Sequence, residues 1–170
     1  MDIEFRKITE FPQGTLAALL KDGYSFEPKF AHYWKNQWKE FDDFFYDNPQ
    51  IAEKYGFITT LDGEPIGLVS WDPRKLPESA EVGHNCIVTK CKGNGYGKRQ
   101  MREAVSRIIA QGAKKIIVWT NEKLIAAQHT YESVGFKFVK ESEETICPEC
   151  AGQRLHYEMT IKQIPILRDL

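Results

Sequence analysis

An α/β sandwich built on a mixed sheet is the fold class this chain predicts, on three observations. Short strand-like runs alternate with helical stripes along the sequence, an aromatic helix precedes a hairpin, and a glycine-rich stretch joins a strand directly to a helix. No internal repeat, low-complexity tract or Pro/Gly/Ser linker divides the chain, so one domain spanning residues 1–170 is expected.

Ile3 to Lys7 alternates with period two and reads as the first strand, followed by a helix from about Thr15 to Asp22 that stops near Gly23. From Phe30 to Tyr46, the residues Phe30, Trp34, Trp38, Phe41 and Phe45 recur at steps of three or four, which is one face of a helix. Phe57 to Leu61, the Asp62-Gly63 turn and Ile66 to Trp71 read as a β-hairpin, and Ala80 to Val88 as a further strand. Met101, Ala104, Val105, Ile108 and Ile109 mark a helix whose apolar stripe must face the sheet, ended by Gly112. The run Ile116 to Trp119 is short, apolar and β-branched, as a buried strand requires. A helix from about Leu124 to Val134 closes at Gly135, and Phe136 to Val139 and Leu155 to Ile161 supply two last strands.

With 42% hydrophobic and 28% charged residues, the 170-residue chain can bury a full core. Its 23 Lys and Arg nearly balance 24 Asp and Glu, so neither nucleic acid nor a membrane surface is expected as a partner. Met1 to Gly14 lacks the apolar run of a signal peptide, and nowhere do about 18 apolar residues follow one another, which predicts a cytoplasmic protein. Its four cysteines are then expected as reduced thiols rather than a disulfide framework. Cys147-Pro148-Glu149-Cys150 has the spacing of one zinc knuckle, and Cys86 and Cys91 would have to complete it. A second CxxC is missing, so a turn between the last two strands is expected there, and no metal. His32, His129 and His156 have no metal-ligand spacing.

The most informative segment is Lys92-Gly93-Asn94-Gly95-Tyr96-Gly97-Lys98, between the strand that ends near Val88 and the helix that starts near Gly95. Successive backbone N–H groups at a helix N-terminus form a site for phosphate oxygens, because unpaired donors and the dipole both favour negative charge. Gly95 and Gly97 carry no Cβ to hold a diphosphate away, and Lys92, Lys98 and Arg99 can add charge from the flanks. Two common phosphate loops fail on spacing. GxxxxGK[ST] needs a longer stretch than Gly93 to Gly97, and GxGxxG needs a glycine where Lys98 stands.

The stretch resembles instead the signature of the GNAT superfamily of N-acetyltransferases, a Gln or Arg followed by x-x-G-x-G/A, with Lys92 in the basic position and Gly95 and Gly97 in the glycine positions. Ala127-Gln128-His129-Thr130-Tyr131-Glu132-Ser133-Val134-Gly135-Phe136 is similar to the same family's A-x-x-x-Y-E-x-x-G-F segment, and it lies one strand and one helix after the loop. The resemblance is strong over Glu81 to Phe136 and weak before residue 56. It departs at Leu124, where family members often carry an asparagine three residues before the alanine, whereas this chain has its Asn at Asn121.

The resemblance implies a mixed, mostly antiparallel sheet of six or seven strands flanked by about four helices and splayed between the fourth and fifth strands. These are Ala80 to Val88 and Lys115 to Thr120 here. It implies acetyl-CoA as co-substrate, with its pantetheine arm in the gap against main-chain groups of Ile87 and Val88, and its diphosphate on Lys92, Gly93, Asn94, Gly95, Tyr96, Gly97 and Lys98. An amine of a small molecule or peptide would attack the thioester directly in a ternary complex. Tyr131 would be the acid for the leaving thiolate, and Glu81 or His84 the base for the incoming ammonium, with Glu81 slightly favoured. Strict alternation sets Glu81 and His84 on opposite faces of their strand, a phase that a bulge would break. The early helices border the acceptor pocket in this fold, although helical spacing assigns the Phe30 to Phe45 rings to packing first. A homodimer is left open, and the alternative is a sensor module that holds acetyl-CoA without turnover. Such a binder would have no use for the Tyr131 proton.

Overall fold

A computed structural model describes residues 1–144, 147, 150 and 152–162. Along the chain run β1 (Ile3–Arg6), α1 (Thr15–Gly23), α2 (Pro28–Asp47), α3 (Pro49–Tyr55), β2 (Gly56–Leu61), β3 (Glu64–Asp72), β4 (Ala80–Ile87), α4 (Tyr96–Ala110), β5 (Lys115–Asn121), α5 (Ile125–Val134), β6 (Lys137–Glu143) and β7 (Gln153–Thr160). The seven strands form one sheet in the order β1-β2-β3-β4-β5-β7-β6. Every neighbouring pair is antiparallel except β4 and β5, which are parallel. No helix among the described residues is long and apolar enough to cross a membrane.

The sequence predicts four helices, and α3 is a fifth. Its cause is local: Pro49 cannot continue α2, since it has no N–H to donate, but its fixed φ suits the first position of a new helix. Asn48 closes α2 by donating its Nδ2 to the Phe44 carbonyl at 2.8 Å, and the restarted helix buries Ala52 with Ile8 and Phe45. At the other end of α2, the Glu27 side chain accepts from the Lys29 N–H and Pro28 occupies the first turn.

Alternation along the central strands sorts their side chains into two cores. Phe57, Val69, Trp71, Ile116 and Val118 pack with Met101, Ala104 and Ile108 of α4 on one face of the sheet. Ile58, Leu68 and Cys86 pack on the other with Leu16, Leu20, Trp38 and Phe45 of α1 and α2. β3 is therefore buried on both faces, which explains its nearly unbroken apolar sequence.

The phase of β4 changes partway. Val69 pairs with Asn85 but Trp71 pairs with Val82, so Ser70 alone opposes both Gly83 and His84. This is a β-bulge, and it places Val82 in the α4 core and Cys86 in the α1/α2 core although both are even-numbered. Glu81, next to Val82, and His84, whose ring lies 4.1 Å from that of Phe41, consequently turn to the same face. The opposite-face arrangement drawn from strict alternation is thus corrected by the bulge.

Cys86 and Cys91 are buried free thiols, whereas Cys147 and Cys150 form a disulfide with Cα atoms 5.2 Å apart. The expectation of four reduced thiols is corrected for this pair. The Cys150 N–H also donates to the Cys147 carbonyl at 2.9 Å. The two residues between them lie outside the described residues, and with them part of the expected turn.

Candidate active site

β4 and β5 pair only at Ala80–Ile116 and Glu81–Ile117 and then part. A cavity of about 300 Å³ opens in the gap. β4 contributes Val82, Gly83, His84 and Asn85 to its walls, β5 contributes Trp119, Thr120 and Asn121, and α5 contributes Ala127 and Tyr131. Tyr24, Phe30, Trp34 and Trp38 close it on the α2 side. The aromatic stripe of α2 therefore serves twice, since Trp38 and Phe30 are core residues and cavity walls at once.

Tyr131 is 5% exposed and its ring packs on Phe136 and Tyr157 at 5.9 and 6.0 Å. Burial raises its pKa, and the Asn85 side chain acts in the opposite direction by favouring the phenolate. Asn85 is itself held at both ends: its carbonyl accepts from the Tyr24 hydroxyl at 3.1 Å and its Oδ1 from Gln100 Nε2 at 2.7 Å. Gln100, fully buried, also donates to the Leu68 and Cys86 carbonyls at 2.8 and 3.2 Å and accepts from the Thr59 hydroxyl at 2.6 Å. Such a network is worth building only when every member is satisfied, and here the Gln100 amide has partners on both its atoms. Gly67 makes room for it: a Cβ there would lie 2.5 Å from the Cys86 carbonyl and 2.7 Å from Gln100 Oε1.

His84 lines the cavity and Glu81 does not. Burial pulls the His84 imidazole down to about 4, so it is neutral at physiological pH and free to accept a proton. Glu81 sits where β4 and β5 still pair, opposite Ile117, and its charge is felt by Arg74 and His156. Burial also pushes the Cys86 thiol up to about 12, which leaves it a packing residue rather than a nucleophile.

At the start of α4 the N-cap is Gly95, in the left-handed region at φ 80°, and it has no side-chain oxygen to cap the helix. The first intrahelical bond of the turn is Arg99 N–H to Gly95 carbonyl, so the amides of Tyr96, Gly97 and Lys98 belong to the open first turn. Asn94 folds its Nδ2 onto the Cys91 and Lys92 carbonyls, each at 3.1 Å, and so occupies the loop's acceptors. A Cβ on Gly97 would meet only Ile87 and Thr130, at 3.6 and 3.9 Å, and one on Gly93 or Gly95 nothing within 4 Å. The loop is an uncovered cradle of donors, which suits a diphosphate. Lys92 is turned elsewhere: its ammonium donates to the Gly23 carbonyl and lies 4.5 Å from the centre of the Phe26 ring.

Sequence reading missed Gln100, Asn85, Tyr24 and Trp119. Gln100 alone carried a signal, a polar side chain on the stripe that continues through Ala104 and Ile108. Among the described residues, no three His, Cys, Asp or Glu side chains converge as a metal site.

The likenesses of this chain agree with that geometry. Curated relatives include the N-acetylaspartate synthetases of Danio rerio and Homo sapiens, 24% and 22% identical over 92 residues. The match takes in 54% of this chain but only 33% and 30% of those proteins, about a third of their length. A Desulfovibrio desulfuricans structure of the GNAT family shares the fold at a TM-score of 0.75 and 16% identity, covering 94% of this chain and 99% of that one. The ribosomal-protein-S18-alanine N-acetyltransferase of Escherichia coli does so at 0.69 and 15%, covering 99% of both. The family model described as "Acetyltransferase (GNAT) family" matches residues 17–136, from α1 through the splay and the glycine loop to Phe136. By that match the chain belongs to the GNAT acetyltransferase family.

Proposed function

We propose that the chain, as a single domain over residues 1–170, moves the acetyl group of acetyl-CoA to an amine bound between β4 and β5. One observation carries this reading: a single cavity in the strand gap brings together Tyr131, His84 and the β4 edge that has no strand partner beyond Glu81. The uncapped first turn of α4, with Gly95 and Gly97, holds the diphosphate, and Lys98 and Arg99 stand beside it. Lys92 anchors the loop to α1 instead of reaching into it. Ile87 presents its main chain to the pantetheine arm and a β4 N–H polarises the thioester carbonyl, whereas Val88, expected beside Ile87, has its N–H on the Ile66 carbonyl at 2.8 Å and its carbonyl on the Cys91 N–H at 3.0 Å.

The reaction forms one N–C bond and breaks one C–S bond. Tyr131, kept protonated by its burial, gives its proton to the leaving sulfur. His84 takes the proton from the attacking nitrogen, and Glu81, outside the cavity, acts only through water. The weak basicity of His84 suffices. The burial that keeps it neutral also favours a neutral amine in the same chamber, and the nitrogen becomes far more acidic once it has bonded to the carbonyl carbon.

The curated relatives are named N-acetylaspartate synthetases, so aspartate belongs in the first panel of amines. A cytoplasmic setting would supply the acetyl-CoA. The test follows free thiol on mixing protein, acetyl-CoA and single amines. Thiol release that depends on the amine supports the reading, and tight acetyl-CoA binding without release on any amine sends it back to a sensor module.

A further inference from the structure

The α2 end of the cavity is walled by rings. Trp38 stacks on Tyr24 with centroids 5.8 Å apart, and Phe30 meets the same Tyr24 ring edge-on at 6.0 Å. Trp34 completes that wall, and Trp119 adds a ring from β5. Charge is scarce: among the described residues, Glu144 lines the cavity and no Lys or Arg does. The Glu144 carboxylate is only 5% exposed and already faces the Arg154 guanidinium at 3.4 Å. Arg154 in turn lies over the Trp119 ring, 3.7 Å from its centre, and does not line the cavity, although its Nε is buried without a hydrogen-bond partner among the described residues.

From this lining we infer that the acceptor is a small primary amine carried on an aromatic body. The inference rests on the acetyltransferase reading and narrows it. A flat apolar body buries ring against ring along Trp34, Trp38 and Phe30, and its single amine is the only polar group to be desolvated. A dicarboxylate amine would bring two anions to a chamber whose described lining offers Glu144 and no Lys or Arg. A polyamine would bury further ammonium groups against an acid that Arg154 already neutralises. The volume of about 300 Å³ stands at the small end of ligand pockets, which suits a compact acceptor.

The test compares kcat/KM on the whole chain for phenethylamine, butylamine, spermidine and aspartate. The expected result is a preference for phenethylamine over spermidine and aspartate of about tenfold or more. Trp34→Leu, with Phe30→Leu as a second variant, should cut the preference for phenethylamine over butylamine by about threefold or more, because only the aromatic body uses the ring wall. A preference for aspartate or spermidine, or an equal loss on both monoamines, overturns the inference and leaves acetyl transfer standing. Acetyl-CoA binding with no transfer to any of the four overturns both.

Discussion

Gln100 Nε2 donates to Asn85 Oδ1 across 2.7 Å inside the core, and so fixes which end of the Asn85 amide can face the cavity. With its oxygen engaged by α4, Asn85 keeps its NH2 for the Tyr131 side. Gln100→Leu takes a partner from the buried Thr59 hydroxyl and Leu68 carbonyl, where an unpaired group costs about 1–3 kcal/mol, and from the part-buried Asn85 Oδ1, which water in the cavity can reach. Partial relaxation reduces the sum, and a fall in Tm of roughly 5–10 °C is expected in a thermal melt. Adding Asn85→Leu should recover part of that loss, since both partners are then apolar.

Gly97 offers the cleanest probe of the phosphate loop. Its Cβ position meets only ordinary contacts, and Gly→Ala inside a helix stabilises by roughly 0.5–1 kcal/mol. Gly97→Ala should therefore leave Tm unchanged or raise it slightly and, because the signature admits alanine at this position, change the Kd for acetyl-CoA little, whereas the bulkier Gly97→Leu should raise that Kd about tenfold or more by covering the first-turn amides. An unchanged calorimetric Kd in Gly97→Leu would remove the loop from the site.

Tyr131→Phe keeps the ring packed on Phe136 and Tyr157 and removes only the proton. A loss of roughly a hundredfold in kcat, with little change in acetyl-CoA affinity, is the expected signature of a missing general acid. Burial raises this phenol above its ordinary value of 10.0, so the wild-type rate should show no alkaline decline from this group below that pH. A full kcat in the variant, with chemistry limiting, rules the acid role out.

His84 ties stability to pH. Its folded value of about 4 lies below the ordinary 6.5, so between those limits the unfolded chain binds the extra proton. The folded state is penalised as pH falls through 6.5, increasingly until about 4, and carries no such penalty above 6.5. The full shift corresponds to about 3 kcal/mol, taken as an upper bound. Urea midpoints measured from pH 7 down to 4.5 should fall less steeply in His84→Gln than in the parent; parallel slopes would mean that His84 titrates normally.

What the sequence revealed and what it hid follow from range. The α4 loop was legible because its features are local: Gly95, Gly97 and the helix start are neighbours in the chain, and the open donors there are backbone amides. The Ala127 to Phe136 segment was legible for the same reason. The β4 bulge was not, since it is a mismatch of count between β3 and β4 that neither strand carries alone. Asn85 and Thr59 escaped because their meaning depends on Gln100, which arrives from another element. Helix α3 was missed because its seven residues, about two turns, bury a single alanine and leave no period to read.

The two residue pairs that join β4 to β5 also divide the sheet mechanically. On one side stand β1 to β4 and on the other β5 to β7, each knitted by long antiparallel ladders, and the seam between them has backbone bonds only at its closed end. Amides along that seam should lose their hydrogens to deuterium earlier than those of the β2–β3 ladder, because opening them breaks no neighbouring pair. A thioester substrate lying in the seam fills the missing rungs, so its arrival should appear as slowed exchange on both lips at once.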